Sequence, residues 1–323
     1  MISASATWAA SHPSPDLKPR QRKYPMTQTI LIAGATGWLG RKIAQEAQGL
    51  GATVRLLLRG GSTHPKAESL KALTTRGAII AAGDLDDEAS LLRATDGVGV
   101  VISAVQGGPE TILDGQLRLA KAAKANGAWR MFPSDFAATY KHLTADEHPF
   151  LNLRARADAA IAETGLPQTN TVNGGFMETM TSPFMGMADF ENGVFRHWGD
   201  ADGPIDLTHT DDVAAYVARA ALDPKSPTGD FRIVGQTITP REIAETASRV
   251  LGRKIALQSW GSAEALDAEI AKRQAAHPHD PNHWIALMYH RLIISAAGRV
   301  RDTHNHLYPA VKPKTFEAFL RNA

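Results

Sequence analysis

Apolar and polar positions alternate in blocks along the chain from residue 27 onward. Short runs of consecutive apolar residues, which predict strands buried on both faces, are each followed by a segment with apolar residues at helical spacing. The run 29–33 ends at Gly34, for example, and the segment after it places Ile43, Ala44 and Ala47 on one helical face. The predicted strands are 29–33, 53–58, 78–81, 98–105, 129–132 and 168–172, and the predicted helices are 38–50, 66–73, 86–94, 110–126 and 151–164.

This alternation predicts an α/β fold whose strands form a Rossmann-type, doubly wound parallel sheet. Beyond residue 175 the rhythm loosens, and we expect a smaller mixed C-terminal region. Its predicted strands are 194–197, 205–208 and 231–234, and its predicted helices are 211–222, 240–251, 263–275 and 314–321. The expected parts of the chain are a disordered N-terminal extension at 1–26, an NAD(P)-binding Rossmann domain at 27–175 and a substrate-binding region at 176–323 that is integrated with it.

The composition narrows the classes of protein and of site. The 323 residues are 43% hydrophobic, which suits a large buried core, and they include no cysteine. Without cysteine the chain cannot form disulfides, thiolate zinc sites or iron–sulfur clusters, and it has no thiol nucleophile. Histidines are frequent in the stretch 277–290, but their spacing is irregular, so we expect no metal site there.

Charge and hydropathy bear on the partners of the chain. The formal net charge is +2, and the basic excess lies in the first 26 residues. The remainder is close to neutral, which argues against nucleic acid as a partner. The N-terminal segment lacks the pattern of a secretory signal, and no apolar run reaches the roughly 18 residues that span a bilayer. We therefore expect no membrane partner and a cytoplasmic location.

Three glycines between the first predicted strand and the first predicted helix carry the clearest chemical signal. Gly34, Gly37 and Gly40 permit a tight turn, a close approach of the backbone to a pyrophosphate, and packing of the helix on the sheet. The N-terminus of that helix offers backbone N–H groups and a positive dipole end to phosphates. The stretch predicts dinucleotide binding, with a purely structural turn as the alternative. Its candidate cofactor contacts are Gly34, Thr36, Gly37, Trp38, Leu39 and Gly40.

The end of the second predicted strand distinguishes between the two nicotinamide dinucleotides. An acidic residue there is typical of NAD binding, because it accepts a hydrogen bond from the ribose 2′-OH. This chain instead has Arg59, followed by Lys66. Cations suit a 2′-phosphate, and a guanidinium binds it through two hydrogen bonds. The predicted cofactor is therefore NADPH, and the alternative is that both residues are solvated surface charges.

Residues after the third and fourth predicted strands complete the expected cofactor site. Asp84 is a candidate contact beside the adenine; alternatively, it starts a turn and caps the next helix. Ala104 and Val105 end the fourth strand, where the ligand crevice of such sheets lies.

Four further stretches are distinctive: Gly-Asp-Leu at 83–85, Phe-Pro-Ser-Asp-Phe at 132–136, the helix that runs from Arg154 to Leu-Pro at 166–167, and Asn-Gly-Gly-Phe at 173–176. Together with the glycine motif and Arg59 they make the chain resemble the atypical short-chain reductases. This group includes isoflavone reductase, pinoresinol–lariciresinol reductase and phenylcoumaran benzylic ether reductase, together with the NmrA-like proteins.

The resemblance implies that hydride is transferred from NADPH to a benzylic or conjugated carbon of a small aromatic molecule, such as a lignan, a phenylcoumaran or an isoflavonoid. In those reductases a lysine near the nicotinamide lies thirteen residues before the proline of that helix, and here the position is Arg154. Arginine stays protonated, so it cannot act as a general base. Arg154 could stabilise a phenolate or enolate or bind the ribose; the alternative is a solvated helix charge.

Other candidate residues follow the fifth and sixth predicted strands. Asp135, Tyr140 and His142 lie on the loop after the fifth strand and are candidates for an acid or base. Asn173 and Phe176 are expected to flank the nicotinamide or the substrate ring.

The sequence thus favours an NADPH-dependent reductase with a small aromatic substrate and, as its expected assembly, a homodimer. A non-enzymatic NmrA-like redox sensor that acts through a protein partner is the first alternative. An epimerase or dehydratase that keeps its cofactor bound is the second.

Overall fold

The computed structural model describes residues 29–322, so the predicted extension at 1–26 lies outside the described residues. A parallel sheet forms the centre, from strands β1 (Thr29–Ala33), β2 (Thr53–Leu58), β3 (Ile79–Ala82), β4 (Val100–Ser103) and β5 (Arg130–Phe132). Their order is β3-β2-β1-β4-β5. Ile32, for example, pairs with Leu56 of β2 on one side and with Ile102 of β4 on the other.

Helices cover both faces of this sheet. Ile30 and Ile32 of β1 pack in one apolar cluster with Ile43, whereas Leu31 and Ala33 point to a second cluster on the opposite face. Burial of both faces explains why the strands appear as uninterrupted apolar runs, and it confirms the predicted fold class. The helices between these strands, with the one after β5, are α1 (Trp38–Gly49), α2 (Lys71–Thr74), α3 (Glu88–Thr95), α4 (Gln116–Ala125) and α5 (Pro149–Glu163).

The remainder of the chain mixes short strands with helices. Its strands are β6 (Thr169–Val172), β7 (Gly175–Phe176), β8 (Ala188–Asp189), β9 (Val194–Trp198), β10 (Ile205–Thr208), β11 (Gly229–Arg232), β12 (Gln236–Ile238) and β13 (Ala256–Gly261). Its helices are α6 (Met177–Met180), α7 (Thr210–Leu222), α8 (Pro240–Leu251), α9 (Ala263–Ala276), α10 (Ile285–Ile293) and α11 (Phe316–Arg321). Helix α7 packs beside α1 on the same face of the central sheet.

The predicted sixth strand lies beside β5. Met131, in the middle of β5, and Gln168, just before β6, form an isolated parallel bridge. Strand β6 then pairs in parallel with β11, where Thr171 lies opposite Phe231. Strand β7, which pairs with β10, lies across the predicted boundary at 175/176, and that boundary stays a prediction.

The structure differs from the predicted elements where local geometry departs from regular helix or strand. The predicted helix 66–73 begins as a 3₁₀ helix, Pro65–Leu70, and the predicted helix 110–126 begins as a π-helical segment, Glu110–Gly115. The predicted strand 98–105 ends at Ser103, because Ala104 and Val105 leave the ladder. Helix α10 has no counterpart among the predicted elements, and no side chain caps its start. Further 3₁₀ turns are Gly61–Thr63, Pro281–His283, Ala296–Gly298 and Asn305–Leu307.

Within residues 29–322, no helix has both the length and the apolar content that crossing a bilayer requires.

Candidate active site

A groove of about 670 Å³ lies over the carboxyl ends of the central strands. It brings together most of the predicted site residues, namely Gly34, Thr36, Gly37, Trp38, Leu39, Arg59, Lys66, Asp84, Ala104, Val105, Arg154 and Phe176. Lining residues that the sequence did not assign to a site include Leu57, Leu58, His64, Asp86, Gln106, Thr111, Ser134, Phe136 and Thr179. Ser134 and Phe136 belong to the distinctive stretch after β5, whereas Thr111 and Thr179 carry no sequence signal.

The glycine turn after β1 is shaped by backbone contacts that leave no room for side chains. Gly34 has a φ of +86°, and a Cβ built on it would lie 2.5 Å from the carbonyl oxygen of Ala104. A Cβ on Gly40 would lie 2.4 Å from the carbonyl oxygen of Gly34. The amide of Gly37 donates to that same oxygen across 2.9 Å. Gly40 does not line the groove; it is the point where α1 approaches the turn.

The N-terminus of α1 is open toward the groove. Gly37 is its N-cap residue and supplies no side-chain acceptor, and the first turn contains no acidic residue. The first backbone N–H groups of a helix have no partner within the helix, so here they remain available to an anion. The turn and this helix end therefore fit the pyrophosphate of a dinucleotide.

Two cations stand at the end of the groove beyond β2. Arg59 is exposed and lines the groove, and the chain then turns through Gly60 and Gly61 with φ of +63° and +59°. The turn leads into the short helix that carries Lys66, whose amide donates to Nδ1 of His64 across 3.0 Å. Both predicted cations thus face one end of the groove, where they fit a 2′-phosphate.

Asp84 lines the groove and also makes a local turn. Its Oδ1 accepts a hydrogen bond from the amide of Asp86 at 3.2 Å. The N-cap of α3 is instead Asp87, which accepts from the amide of Ser90 at 3.1 Å. The alternative that Asp84 caps the next helix is therefore wrong, although it does start the turn. Its contact with a cofactor stays a prediction.

At the other end of the groove, Arg154 projects from α5. Its Nη1 donates to the carbonyl oxygen of Ser134, in the loop after β5. The Ser134 hydroxyl donates to the carbonyl of Val105 across 2.7 Å, and its amide donates to Oε1 of Gln116 across 2.9 Å. Arg154 is therefore tied to a loop that is itself anchored to the end of β4 and to α4.

Asp135 and Tyr140 lie in the interior and not on the groove. Each is only 1% exposed. The Tyr140 hydroxyl donates to Oδ2 of Asp158 across 2.9 Å, and Nδ2 of Asn170 donates to Oδ2 of Asp135 across 2.8 Å. His142 is exposed, outside the residues that line the groove. The catalytic roles suggested for Asp135 and Tyr140 stay predictions without a contact to the groove.

Burial controls the protonation of these interior groups. It raises the pKa of Asp158 from its usual 3.8 to about 9, and the nearby charge of Asp135 acts in the same direction. It also raises the pKa of Asp135. The pKa of Tyr140 lies well above its usual value because of burial and of the two neighbouring carboxyl groups. Asp158 therefore carries a proton at neutral pH, and Tyr140 stays a neutral phenol.

Of the two predicted site residues after β6, Phe176 lines the groove and Asn173 does not. Asn173 is buried outside the groove lining, and its carbonyl accepts a hydrogen bond from the Thr208 hydroxyl at 2.7 Å. Phe176 lines the groove and meets Trp38 edge to face, with ring centroids 5.4 Å apart. This aromatic pair joins the start of α1 to β7 across the groove. The role of Asn173 at the nicotinamide stays a prediction.

A comparison of the sequence with protein families identifies the family of this chain. The sequence profile of the NmrA-like family matches residues 26–320. The chain belongs to the NmrA-like family. The match confirms the resemblance to the NmrA-like proteins that the sequence motifs of this NmrA-like chain indicated.

Individual relatives lie in the same group of reductases. A phenylcoumaran benzylic ether reductase of Pinus taeda is 27% identical, over 91% of this NmrA-like chain and 97% of that protein. Pinoresinol reductase 1 of Arabidopsis thaliana is 25% identical, over 90% of this chain and 96% of that protein. The solved complex of leucoanthocyanidin reductase with NADPH from Vitis vinifera superposes with a TM-score of 0.77 at 22% identity, covering 91% and 98% of the two chains. The superposition confirms the Rossmann-type fold.

Proposed function

We propose that this NmrA-like chain is an NADPH-dependent reductase that transfers hydride to a benzylic or conjugated carbon of a small aromatic molecule. The single groove that joins Arg59 and Lys66, the glycine turn and Arg154 carries this proposal. Its lining follows the carboxyl ends of the strands, where an extended dinucleotide lies in sheets of this kind. Relatives named as reductases of phenylcoumaran benzylic ethers and of pinoresinol support the same class of reaction.

The chain would hold the cofactor through three groups of contacts. Gly34 and Gly37 let the backbone approach the pyrophosphate, and the open N-terminus of α1 faces its negative charge. Arg59 and Lys66 would bind the 2′-phosphate, which distinguishes NADPH from NADH. When bound, NADPH supplies the hydride.

At the Arg154 end the chain would bind and orient the aromatic substrate. Phe176 and Phe136 line this part of the groove and offer apolar surface to an aromatic ring. Arg154 keeps its positive charge, so it would stabilise negative charge on a phenolate or enolate oxygen without transferring a proton. Its bond to the Ser134 carbonyl fixes where that charge stands.

One observation favours a second candidate, a redox sensor that binds NADP(H) and acts through a protein partner. Asp135, Tyr140 and His142, the acid or base candidates that follow β5, all lie outside the residues that line the groove. A sensor needs no proton transfer, so this lining would serve it.

Two measurements on the same purified protein separate the candidates. Calorimetry gives the affinity for NADPH and NADH, and loss of the reduced-nicotinamide absorbance follows turnover with pinoresinol, a phenylcoumaran and an isoflavone. Tight NADPH binding together with turnover of any of these supports the reductase. Tight binding without turnover supports the sensor, and turnover without net consumption of NADPH supports the epimerase or dehydratase. Binding of neither nucleotide would contradict all three.

A cytoplasmic location and a homodimer belong to the same proposal. Cell fractionation tests the location, and light scattering on the eluting protein tests the assembly.

A further inference from the structure

Gln116 is a polar side chain on the face of α4 that packs in the core. It is only 1% exposed, and the residues that share its face of the helix are the apolar Leu119, Ala120 and Ala123. A buried side-chain amide costs free energy unless its polar atoms are paired. An apolar residue would fill this position at no such cost, so the amide points to a role other than packing.

Both ends of the Gln116 amide are paired. Its Nε2 donates to the carbonyl oxygen of Ile112 across 2.8 Å, one turn earlier in the π-helical segment. Its Oε1 accepts a hydrogen bond from the backbone amide of Ser134 across 2.9 Å. The first bond holds the side chain against its own helix, and the second reaches the loop after β5. Ser134 is 3% exposed, so its amide would be left buried without the Gln116 acceptor.

Ser134 is a junction between three elements. Its amide donates to Gln116 on α4, and its hydroxyl donates to the carbonyl oxygen of Val105, after β4, across 2.7 Å. Its carbonyl oxygen accepts from Nη1 of Arg154 on α5. The first two bonds hold Ser134 to the end of the central sheet and to a helix that covers it. The carbonyl that receives Arg154 therefore has a fixed place.

The position of Arg154 depends on this one carbonyl. Within residues 29–322, the guanidinium makes no hydrogen bond other than the one to Ser134. An arginine side chain has many rotamers, and a single anchor decides which of them it occupies. Val105, Ser134 and Arg154 all line the groove, whereas Gln116 lies behind them and does not. A change at Gln116 can therefore reach the groove only by moving Ser134, and Arg154 with it.

We propose that Gln116 is a positioning residue that sets the place of the Arg154 guanidinium in the groove, acting through the amide and the carbonyl of Ser134. The inference rests on the proposed function, in which Arg154 stabilises negative charge on an oxygen of the aromatic substrate. Without the Gln116 acceptor the buried Ser134 amide would turn toward another partner and displace the carbonyl of the same residue. The guanidinium would then lose its anchor while keeping its charge.

Equilibrium binding tests the proposal without turnover. The probes are 4-nitrophenolate and the neutral 4-nitroanisole, titrated at mildly alkaline pH into the NADP⁺-saturated full-length protein and followed by absorbance. Gln116→Met keeps the length of the side chain and removes its donor and acceptor. It should weaken phenolate binding about tenfold and leave 4-nitroanisole unchanged, since a charged hydrogen bond from Arg154 is at stake.

Gln48→Met is the matched control. Gln48 also bridges a helix to a neighbouring segment, because its Nε2 donates to the carbonyl oxygens of Leu73 and Arg76, each across 3.1 Å. It lies on α1 outside the residues that line the groove. This variant loses a comparable bridge and should bind both probes as the wild type does.

Further variants separate positioning from a purely structural role. In the Arg154→Ala background, Gln116→Met should cause no further loss of phenolate affinity, because its effect passes through the guanidinium. Gln116→Glu keeps an acceptor for the Ser134 amide, so it should bind the phenolate more tightly than Gln116→Met. NADP⁺ affinity reports whether each variant is folded. Should Gln116→Met fail to bind NADP⁺, Gln116→Asn, whose amide is one methylene shorter, takes its place in the same cycle.

The other outcomes count against the proposal. Unchanged phenolate affinity in Gln116→Met would overturn it, as would an equal loss in the presence and absence of Arg154, or an equal loss for both probes. If Arg154→Ala binds the phenolate as tightly as the wild type, the role of Arg154 in the proposed function fails and the positioning role fails with it. If the coupling holds but no aromatic substrate consumes NADPH, the proposed reductase fails and the positioning of Arg154 by Gln116 stands.

Discussion

The hydroxyl of Tyr140 donates to the carboxyl of Asp158 across 2.9 Å in the interior of the protein. Tyr140 was a candidate acid or base, but this bond holds its phenol in the interior, beside the buried Asp158 and behind the loop that lines the groove. Asp135, one residue after the groove-lining Ser134, points toward the same interior cluster. The loop after β5 therefore turns alternate residues to the groove and to the core.

This cluster should make stability depend on pH. Burial raises the pKa of Asp158 to about 9 from its usual 3.8. The folded chain then binds a proton that the unfolded chain releases, so the stabilisation by this proton is complete below the unfolded pKa and is lost as the pH rises toward the folded one. Asp158→Asn keeps a hydrogen-bond acceptor for Tyr140 but has no proton to lose, so its stability should not fall in this way as the pH rises. The unfolding temperature of the variant minus that of the wild type should therefore increase by roughly 2 °C or more from acidic to mildly alkaline pH.

Thermal unfolding followed by circular dichroism across that pH range checks this expectation. Asp267→Asn is the matched control, because Asp267 pairs with Arg291 at the surface and its side chain is 51% exposed. It should run parallel to the wild type at every pH. A difference between Asp158→Asn and wild type that does not change with pH would mean that Asp158 is ionised in the folded protein.

The glycine turn makes a steric prediction. A Cβ on Gly40 would lie 2.4 Å from the backbone oxygen of Gly34, so Gly40→Ala must push α1 away from the turn. We expect lower stability and loss of NADPH affinity by more than about tenfold, since the helix end that faces the phosphates moves. Gly49→Ala, at the other end of α1, meets no atom within 4 Å. It should bind NADPH normally and be as stable as the wild type or more so. Calorimetry and thermal unfolding of both variants measure these effects.

Arg59 should decide between the two nicotinamide cofactors. Arg59→Asp replaces a cation that lines the groove with an anion, so it should weaken NADPH binding by about a hundredfold while NADH binding changes little. Arg76→Asp makes the same change of charge at an exposed arginine outside the groove lining and is the control. Calorimetric titration with both nucleotides gives the comparison. An equal loss of NADPH and NADH in Arg59→Asp would exclude contact with the 2′-phosphate.

The sequence predicts the parts of the molecule that local pattern determines. Strands β1 and β2 match their predicted bounds, because burial on both faces makes most of their residues apolar. The glycine turn is equally local. The two-residue strands β7 and β8 are too short to leave a period, so the C-terminal region could not be predicted in detail. The burial of Tyr140 depends on Asp158, which comes from a different element, and spacing along the chain does not encode it.

The same limit applies to the residues around Arg154. Its position was predictable from the Leu-Pro that follows its helix, but its bond to Ser134 depends on how α5 packs on the loop after β5. Sites of this kind become visible only when the elements are assembled.

Arg154 itself allows the sharpest test of the reductase. Arg154→Ala removes the charge at the substrate end of the groove, and we expect kcat/KM for pinoresinol with NADPH to fall by about a hundredfold, in the range of losing one group that stabilises a developing oxyanion. Arg154→Lys keeps a cation on the same side of α5, so it should retain most of the activity. Arg156→Ala, which removes an exposed arginine of the same helix, should behave as wild type. Steady-state kinetics on the four proteins measures this order, and wild-type activity in Arg154→Ala would show that the reaction proceeds without the guanidinium.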